Sequence, residues 1–246
     1  MDKLACLDAM GIDVWVRREQ PSLPAKAIIE IVNEESAGAT TTEEADPVVA
    51  INPSKQNDVG ALDWEQLEQR VLACTLCELH KTRTQAVFGV GNKDADWMII
   101  GEAPGAEEDR HGEPFVGRAG QLLNAMLEAV GLKREEVFIA NVLKCRPPNN
   151  RDPRAEEVAS CEPYLKRQIE LVQPKIILCV GRIAAQNLLK TDMPIGRMRG
   201  RKHVYEPLNI PVIVTYHPAY LLRSPTEKRK SWQDLLLARS LMESAG

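Results

Sequence analysis

The chain has 246 residues, 44% of them hydrophobic and 27% charged, a globular composition with enough apolar material for one large core or two small ones. No run of roughly 18 apolar residues occurs, which argues against a transmembrane helix, and Asp2, Asp8 and Asp13 break the first apolar stretch in a way a secretory leader does not tolerate, so a soluble, cytoplasmic protein is expected. The net charge of −4 speaks against nucleic acid only on average: residues 1–60 hold 5 basic against 11 acidic side chains, whereas residues 191–230 hold 8 basic against 3 acidic.

In chain order, residues 1–19 form a compact amphipathic stretch that includes Met10, Ile12, Val14 and Trp15, a candidate docking peptide for a protein partner. Residues 20–60 run through Pro, Ala, Glu, Thr and Ser with no sustained apolar period. Such a segment cannot bury enough surface to offset its ordering entropy and reads as a disordered acidic linker. The folded domain is expected over 61–246. Asp63 is a candidate cap for a helix running through Leu67 and Val71 towards Cys74. A buried strand over 97–100 leads into a glycine-rich loop. A helix over 119–130 then puts Leu122, Leu123, Met126 and Leu127 on one face and stops at Gly131. Strands over 137–142, 175–180 and 210–215 alternate with helices over 153–172, 182–189 and 232–242. The pattern predicts a three-layer α/β/α fold around a central, mostly parallel four-stranded sheet. In such folds the site lies beyond the carboxyl ends of the strands, which is where the polar loops 101–120, 141–152 and 217–224 fall.

Of six cysteines, Cys179 lies in an apolar strand and reads as core, and Cys6 lies outside the predicted domain. Cys74 and Cys77 form a C-x-x-C, and Cys145 and Cys161 complete a set of four beside turns or helix starts. That is the number a tetrahedral thiolate site needs; zinc and a four-iron cluster both fit, as do separate buried thiols.

The loops carry the remaining candidates. Gly101-Glu-Ala-Pro-Gly105 follows a strand, and its two glycines let backbone N–H groups approach a ligand. In Gly112-Glu-Pro-Phe-Val-Gly-Arg-Ala-Gly120, Phe115 reads either as a base-stacking platform or as a loop anchor on the core. Asn141 ends a strand with an amide able to read the edge of a base, or merely to close a turn. His217-Pro-Ala-Tyr-Leu-Leu-Arg223 offers an acid or electrophile next to a wedge. Arg197, Arg199, Arg201 and Lys202 form either a solvated face or a phosphate track.

Taken together, these strings resemble the family 4 uracil-DNA glycosylases, the iron–sulfur branch of the uracil-DNA glycosylase superfamily. The matching pieces are Cys74-Thr-Leu-Cys77, Gly101-Glu-Ala-Pro-Gly-Ala-Glu-Glu-Asp109, Gly112-Glu-Pro-Phe-Val-Gly-Arg-Ala-Gly-Gln-Leu-Leu123, Asn141-Val-Leu-Lys-Cys-Arg-Pro-Pro148, Cys161 and His217-Pro-Ala-Tyr-Leu-Leu-Arg223. They stand in the family's order and span about residues 64–240. The resemblance implies a structural [4Fe–4S] cluster on Cys74, Cys77, Cys145 and Cys161. It implies a monofunctional repair enzyme that flips uracil out of single- or double-stranded DNA and hydrolyses its glycosidic bond. Phe115 would stack on the base, Asn141 would bind its polar edge, and a backbone amide near Ala103 would meet a carbonyl oxygen. His217 would donate to the departing uracil anion. Glu102, or an acid of the Glu107-Glu-Asp109 run, would orient the water. Leu221, Leu222 and Arg223 would fill the vacated stack and grip the strand, with Arg199 on the phosphates. A monomer is expected. The covalently trapping branch carries a histidine in the loop after the motif asparagine, and residues 146–160 hold none. Glu102 separates the chain from family 5, which tends to lack that acid. A second reading from another class is a non-catalytic iron–sulfur DNA-binding module that recruits partners. The presence of Phe115, Asn141 and His217 together favours the enzyme, since a pure binder needs no base pocket.

Overall fold

The computed structural model describes residues 59–245. The candidate docking peptide 1–19, Cys6 and the linker up to residue 58 lie outside the described residues. The last two linker positions, 59 and 60, already belong to the folded part: Val59 is buried against Leu67, Val71, Phe88 and Tyr164.

Helix α1 (Trp64–Leu72) starts as expected at Asp63. Its carboxylate accepts from the Gln66 N–H at 2.9 Å, and the Gln66 side chain accepts from the Asp63 N–H in return. The sheet follows, with β1 (Val90–Gly91), β2 (Trp97–Gly101), β3 (Phe138–Asn141), β4 (Ile176–Val180), β5 (Lys202–Tyr205) and β6 (Ile210–Thr215) in the order β1-β3-β2-β4-β6-β5. The four central strands β3, β2, β4 and β6 are parallel, matching the expected core. Two antiparallel edge strands, β1 on β3 and β5 on β6, extend it to six. Both are short, and β5 is only half-buried, so neither carries the continuous apolar run that marks a central parallel strand.

Helices cover both faces. Helices α4 (Ala155–Val172), α5 (Arg182–Leu189) and α6 (Ile195–Met198) pack on the side lined by Met98, Ile100, Ile177, Cys179 and Val212. Cys179 is a core residue, as read from the sequence. Helices α3 (Arg118–Glu128), α7 (Pro218–Arg223) and α8 (Lys228–Ala245) pack on the opposite side, against Ile99, Ile139, Leu178 and Ile213. Alternate residues of each strand thus serve opposite faces, as the pleat requires.

Two stretches read as loops contain helices. Residues 106–111 form α2 (Ala106–His111), and 218–223 form α7, with His217 as its N-cap and Pro218 at the first helical position. Proline is favoured there because its missing N–H would have had no intrahelical partner. Among the described residues no helix is long and apolar enough to cross a membrane.

Candidate active site

A cavity of about 450 Å³ opens at the carboxyl ends of the strands, bordered by Glu102, Ala103, Phe115, Asn141, His217 and Arg223. Its floor is set by two adjacent strand ends, because Gly101 of β2 pairs with Asn141 of β3. Asn141 is only 2% exposed, and its Oδ1 is buried without a hydrogen-bond partner among the described residues. A buried, unpaired acceptor costs on the order of 1–3 kcal/mol, so it points to a group supplied from outside. Gly101 makes the arrangement possible. A Cβ there would overlap Asn141 Oδ1 and stand 2.7 Å from the Phe115 ring.

Phe115 occupies the left-handed region (φ 55°), unusual for a side chain without a local hydrogen-bonding group. The surroundings hold it there. Arg134 donates to the Pro114 carbonyl at 2.6 Å and to the Phe115 carbonyl at 3.4 Å. Glu108 accepts from the Val116 and Gly117 N–H groups at 3.0 and 3.1 Å. Gly120 in α3 leaves room for the bend, since a Cβ there would overlap the Phe115 carbonyl. The result is an aromatic face whose centroid lies 5.6 Å from that of the His217 ring, with 30° between the planes.

His217 Nδ1 accepts from the Ala219 N–H at 3.1 Å, which leaves the proton on Nε2 as the free donor. Burial, reinforced by the positive charge of Arg223 and opposed by Glu108, lowers its pKa to about 4. The imidazole is therefore neutral over the physiological range. Glu102 is shifted the other way: burial and the negative charge of Asp152 raise it to about 7, against the pull of Arg182. Arg182 in turn donates to Asp152 at 2.8 Å.

The acidic run after Glu102 divides by role. Glu107 is exposed and pairs with Arg110. Glu108 places one oxygen on Val116 and Gly117 and the other on the Gly105 N–H at 3.1 Å. Asp109 is buried and accepts from the Thr84 N–H and hydroxyl, the latter at 2.7 Å. Glu108 and Asp109 are thus spent on holding the loop, and neither is available to orient water. The reading that gave Glu108 or Asp109 a share in that role is corrected.

Two assignments on the DNA side are also corrected. Leu221 is fully buried, packed among Leu123, Met126 and Leu235, and cannot act as a wedge. Leu222, next to it, is 37% exposed. Arg199 is committed internally. It pairs with the buried Asp234 at 2.9 Å, donates to the Lys230 carbonyl, and lies over the Tyr216 ring at 5.1 Å. Its neighbours Arg197, Arg201 and Lys202 remain exposed. Sequence reading missed Arg134, for which no local signal exists. It named Glu108 but not its bracing role, whose signal was the Gly-x-x-Glu spacing by which a carboxylate at the third helical position reaches back to the N-cap N–H.

The four candidate cysteine ligands come from three segments: the turn after α1, the residues following β3, and α4. Cys77 feels the charge of Cys74, Cys145 that of Cys77 and Cys74, and Cys161 that of Cys145 and Cys77. Burial raises the Cys77 and Cys145 thiols and takes Cys161 up to about 12. Arg83 donates to Cys145 Sγ at 3.0 Å and to the Leu72 carbonyl at 2.8 Å, linking two of the segments. Among the described residues, no group of three or more Cys, His, Asp or Glu side chains closes to the geometry of a single metal ion.

The sequence profile described as "Uracil DNA glycosylase superfamily" matches residues 88–236, a span that holds every side chain bordering this cavity. The chain belongs to that superfamily. Within it the chain groups with the type-4 enzymes. It is 49% identical over 167 residues to a type-4 uracil-DNA glycosylase of Archaeoglobus fulgidus, covering 65% of this chain and 84% of the relative. It is 44% identical over 184 residues to that of Sulfurisphaera tokodaii, covering 72% and 84%. It is 42% identical over 182 residues to that of Pyrobaculum aerophilum, covering 72% and 93%. This type-4 member is thus a glycosylase, a hydrolase of N-glycosyl bonds.

Proposed function

We propose that this chain is a monofunctional uracil-DNA glycosylase of base excision repair. It draws a uracil out of single- or double-stranded DNA into the cavity between Asn141, Phe115 and His217 and hydrolyses the bond to the sugar, leaving an abasic site. The observation that carries this reading is the buried, unpaired Asn141 Oδ1 beside an aromatic face. Uracil presents an N–H donor between two carbonyl acceptors, and that donor satisfies Oδ1. Cytosine turns a ring acceptor towards the same atom and leaves it unpaired, a loss that discriminates strongly in a buried site. Phe115 stacks on the base once it has left the helix.

The bond between base and sugar breaks with its electron pair moving to the uracil. A neutral His217 with Nδ1 occupied has one donor left, Nε2–H, for a uracil carbonyl oxygen that gains negative charge as the bond lengthens. Donors of this kind contribute about 10²–10³ in rate. Water adds to the sugar carbon and gives up its proton to Glu102, whose raised pKa of about 7 suits it to accept one near neutrality. Ala103, on the border of the cavity, offers its backbone amide to the second carbonyl oxygen. On the rim, Leu222 fills the gap left in the stack, and Arg223 grips the strand.

The same reading assigns Cys74, Cys77, Cys145 and Cys161 to a [4Fe–4S] cluster. Three thiols that burial raises, Cys77, Cys145 and Cys161, with Cys74 close enough to Cys77 and Cys145 to act on both, support it. When bound, the cluster would cross-link the C-x-x-C turn, the segment after β3 and α4, a structural task outside the hydrolysis.

The test uses full-length, anaerobically purified protein and a labelled oligonucleotide with one uracil. Strand scission at the uracil, appearing only after alkali, is expected for the wild type. Excision by His217→Ala and Asn141→Ala should be slower by about 10²–10³. No scission by cluster-loaded wild type overturns the assignment and leaves a DNA-binding module.

A further inference from the structure

The largest buried charge-bearing group outside the pocket is Lys144, 1% exposed, one residue before Cys145. A lysine so enclosed is rare unless every donor has a task. Its Nζ donates to the main-chain carbonyl of Asn141 at 2.9 Å and to Gln168 Oε1 at 2.6 Å. Gln168, on α4 two turns beyond Cys161, donates onward to the Phe88 carbonyl at 2.9 Å. The Lys144 backbone is fixed as well. Its carbonyl accepts from the Val87 N–H at 2.7 Å. One residue therefore joins the strand end that aims Asn141 to the helix that carries Cys161.

We infer that Lys144 is a positioning residue for base recognition: it clamps the Asn141 main chain to α4, so that the thiol-bearing part of the molecule fixes where the Asn141 amide points. A leucine or methionine would fill the same buried volume at less cost in desolvation, so stability alone does not explain an amine here. What an apolar side chain lacks is a directed bond to the Asn141 carbonyl. The strand ladder no longer holds that position from the β1 side, since the β1–β3 pairing ends at Val90 and Ile139. Asn141 must also keep an unpaired acceptor buried, and an unbraced chain end would rotate to relieve it.

This inference rests on the uracil-glycosylase reading, and the experiment separates the two. Single-turnover excision would be measured for full-length wild type, Lys144→Met, Asn141→Ala and the double variant, each normalised to folded fraction by thermal melt and to cluster content by absorbance. Wild-type inactivity would reject the function itself. With an active wild type, Lys144→Met should be slower by about 3- to 10-fold, the net worth of one hydrogen bond. The double variant should be no slower than Asn141→Ala, because Lys144 acts through that residue. Amide hydrogen exchange at residues 141–143 should quicken in Lys144→Met while the rest of β3 stays protected. An unchanged rate per folded enzyme, or losses that multiply in the double variant, overturns the inference. Should Lys144→Met fail to fold, Gln168→Leu, which removes only the outer brace, carries the same cycle. Its expected loss is several-fold and vanishes in the Asn141→Ala background; a wild-type rate overturns the inference equally.

Discussion

The base pocket and the cysteine region both bury ionisable groups, yet they treat them differently. In the pocket, burial keeps His217 neutral and lifts Glu102 to about 7, while Asn141 Oδ1 stays unpaired. In the cysteine region the same desolvation raises Cys77, Cys145 and Cys161, but the polar neighbour is engaged: Arg83 donates to Cys145 Sγ. An unpaired neutral acceptor beside an aromatic face fits a flat, uncharged, hydrogen-bonding ligand. Protonated thiols with a cationic neighbour fit a site completed by binding metal and releasing protons. The Asn141–Lys144–Cys145 stretch joins the two regions.

That contrast can be broken most severely at the cysteines. Cys161→Ser should abolish the visible absorbance of purified protein and lower the melting temperature by many degrees, because a structural metal group supplies folding free energy directly. A variant that keeps wild-type stability without absorbance would remove the structural role. In the pocket, Gly101→Ala should cut uracil excision by about 100-fold or more with a smaller effect on melting, since its methyl group displaces both Asn141 Oδ1 and the Phe115 ring. Equal losses in wild-type and Asn141→Ala backgrounds would show that the overlap acts elsewhere.

Leucines 221 and 222 sharpen the comparison at the rim. Leu221→Ala should cost about 2–5 kcal/mol of stability by urea unfolding. Leu222→Ala should cost under about 0.5 kcal/mol but slow excision from duplex more than from single strands. The reverse pattern would return the wedge to Leu221. The smallest effect concerns pH. Glu102 accepts a proton, so excision should rise as pH increases through about 7, by about tenfold per unit below that value, and Glu102→Gln should flatten the limb. Stability should run the other way: a carboxyl raised from 4.5 to about 7 stabilises the fold at low pH and loses that contribution between those values. His217, lowered from 6.5 to about 4, costs stability as pH falls from 6.5 to about 4. Measuring melts of both single variants against pH separates the two contributions.

Much of the site was legible as linear strings. Phe115, Asn141, His217 and the four cysteines each sit in a short motif whose glycines, prolines or spacing restrict the local backbone, and local restriction is what a sequence records. Strand and helix periods likewise fixed the four parallel strands and most helices, because a strand buried on both faces must be apolar throughout. Helix α7 was read as a loop, although the proline at its first helical position is a start signal.

Partnership across distance was not legible. Whether Arg199 meets phosphate or Asp234 depends on α8 returning to β6, and the two residues are 35 apart in the chain. The assignment of Leu221 to the core and Leu222 to the rim depends on how α7 is rotated against α3. Glu108 and Asp109 became loop braces only once Gly105, Thr84 and Val116 were brought to them. The sequence by itself determined which chemical groups the protein owns and which backbone shapes it adopts locally. The tertiary structure decided which of those groups stay unpaired, because desolvation and hydrogen-bond satisfaction are properties of neighbours that the fold alone assembles.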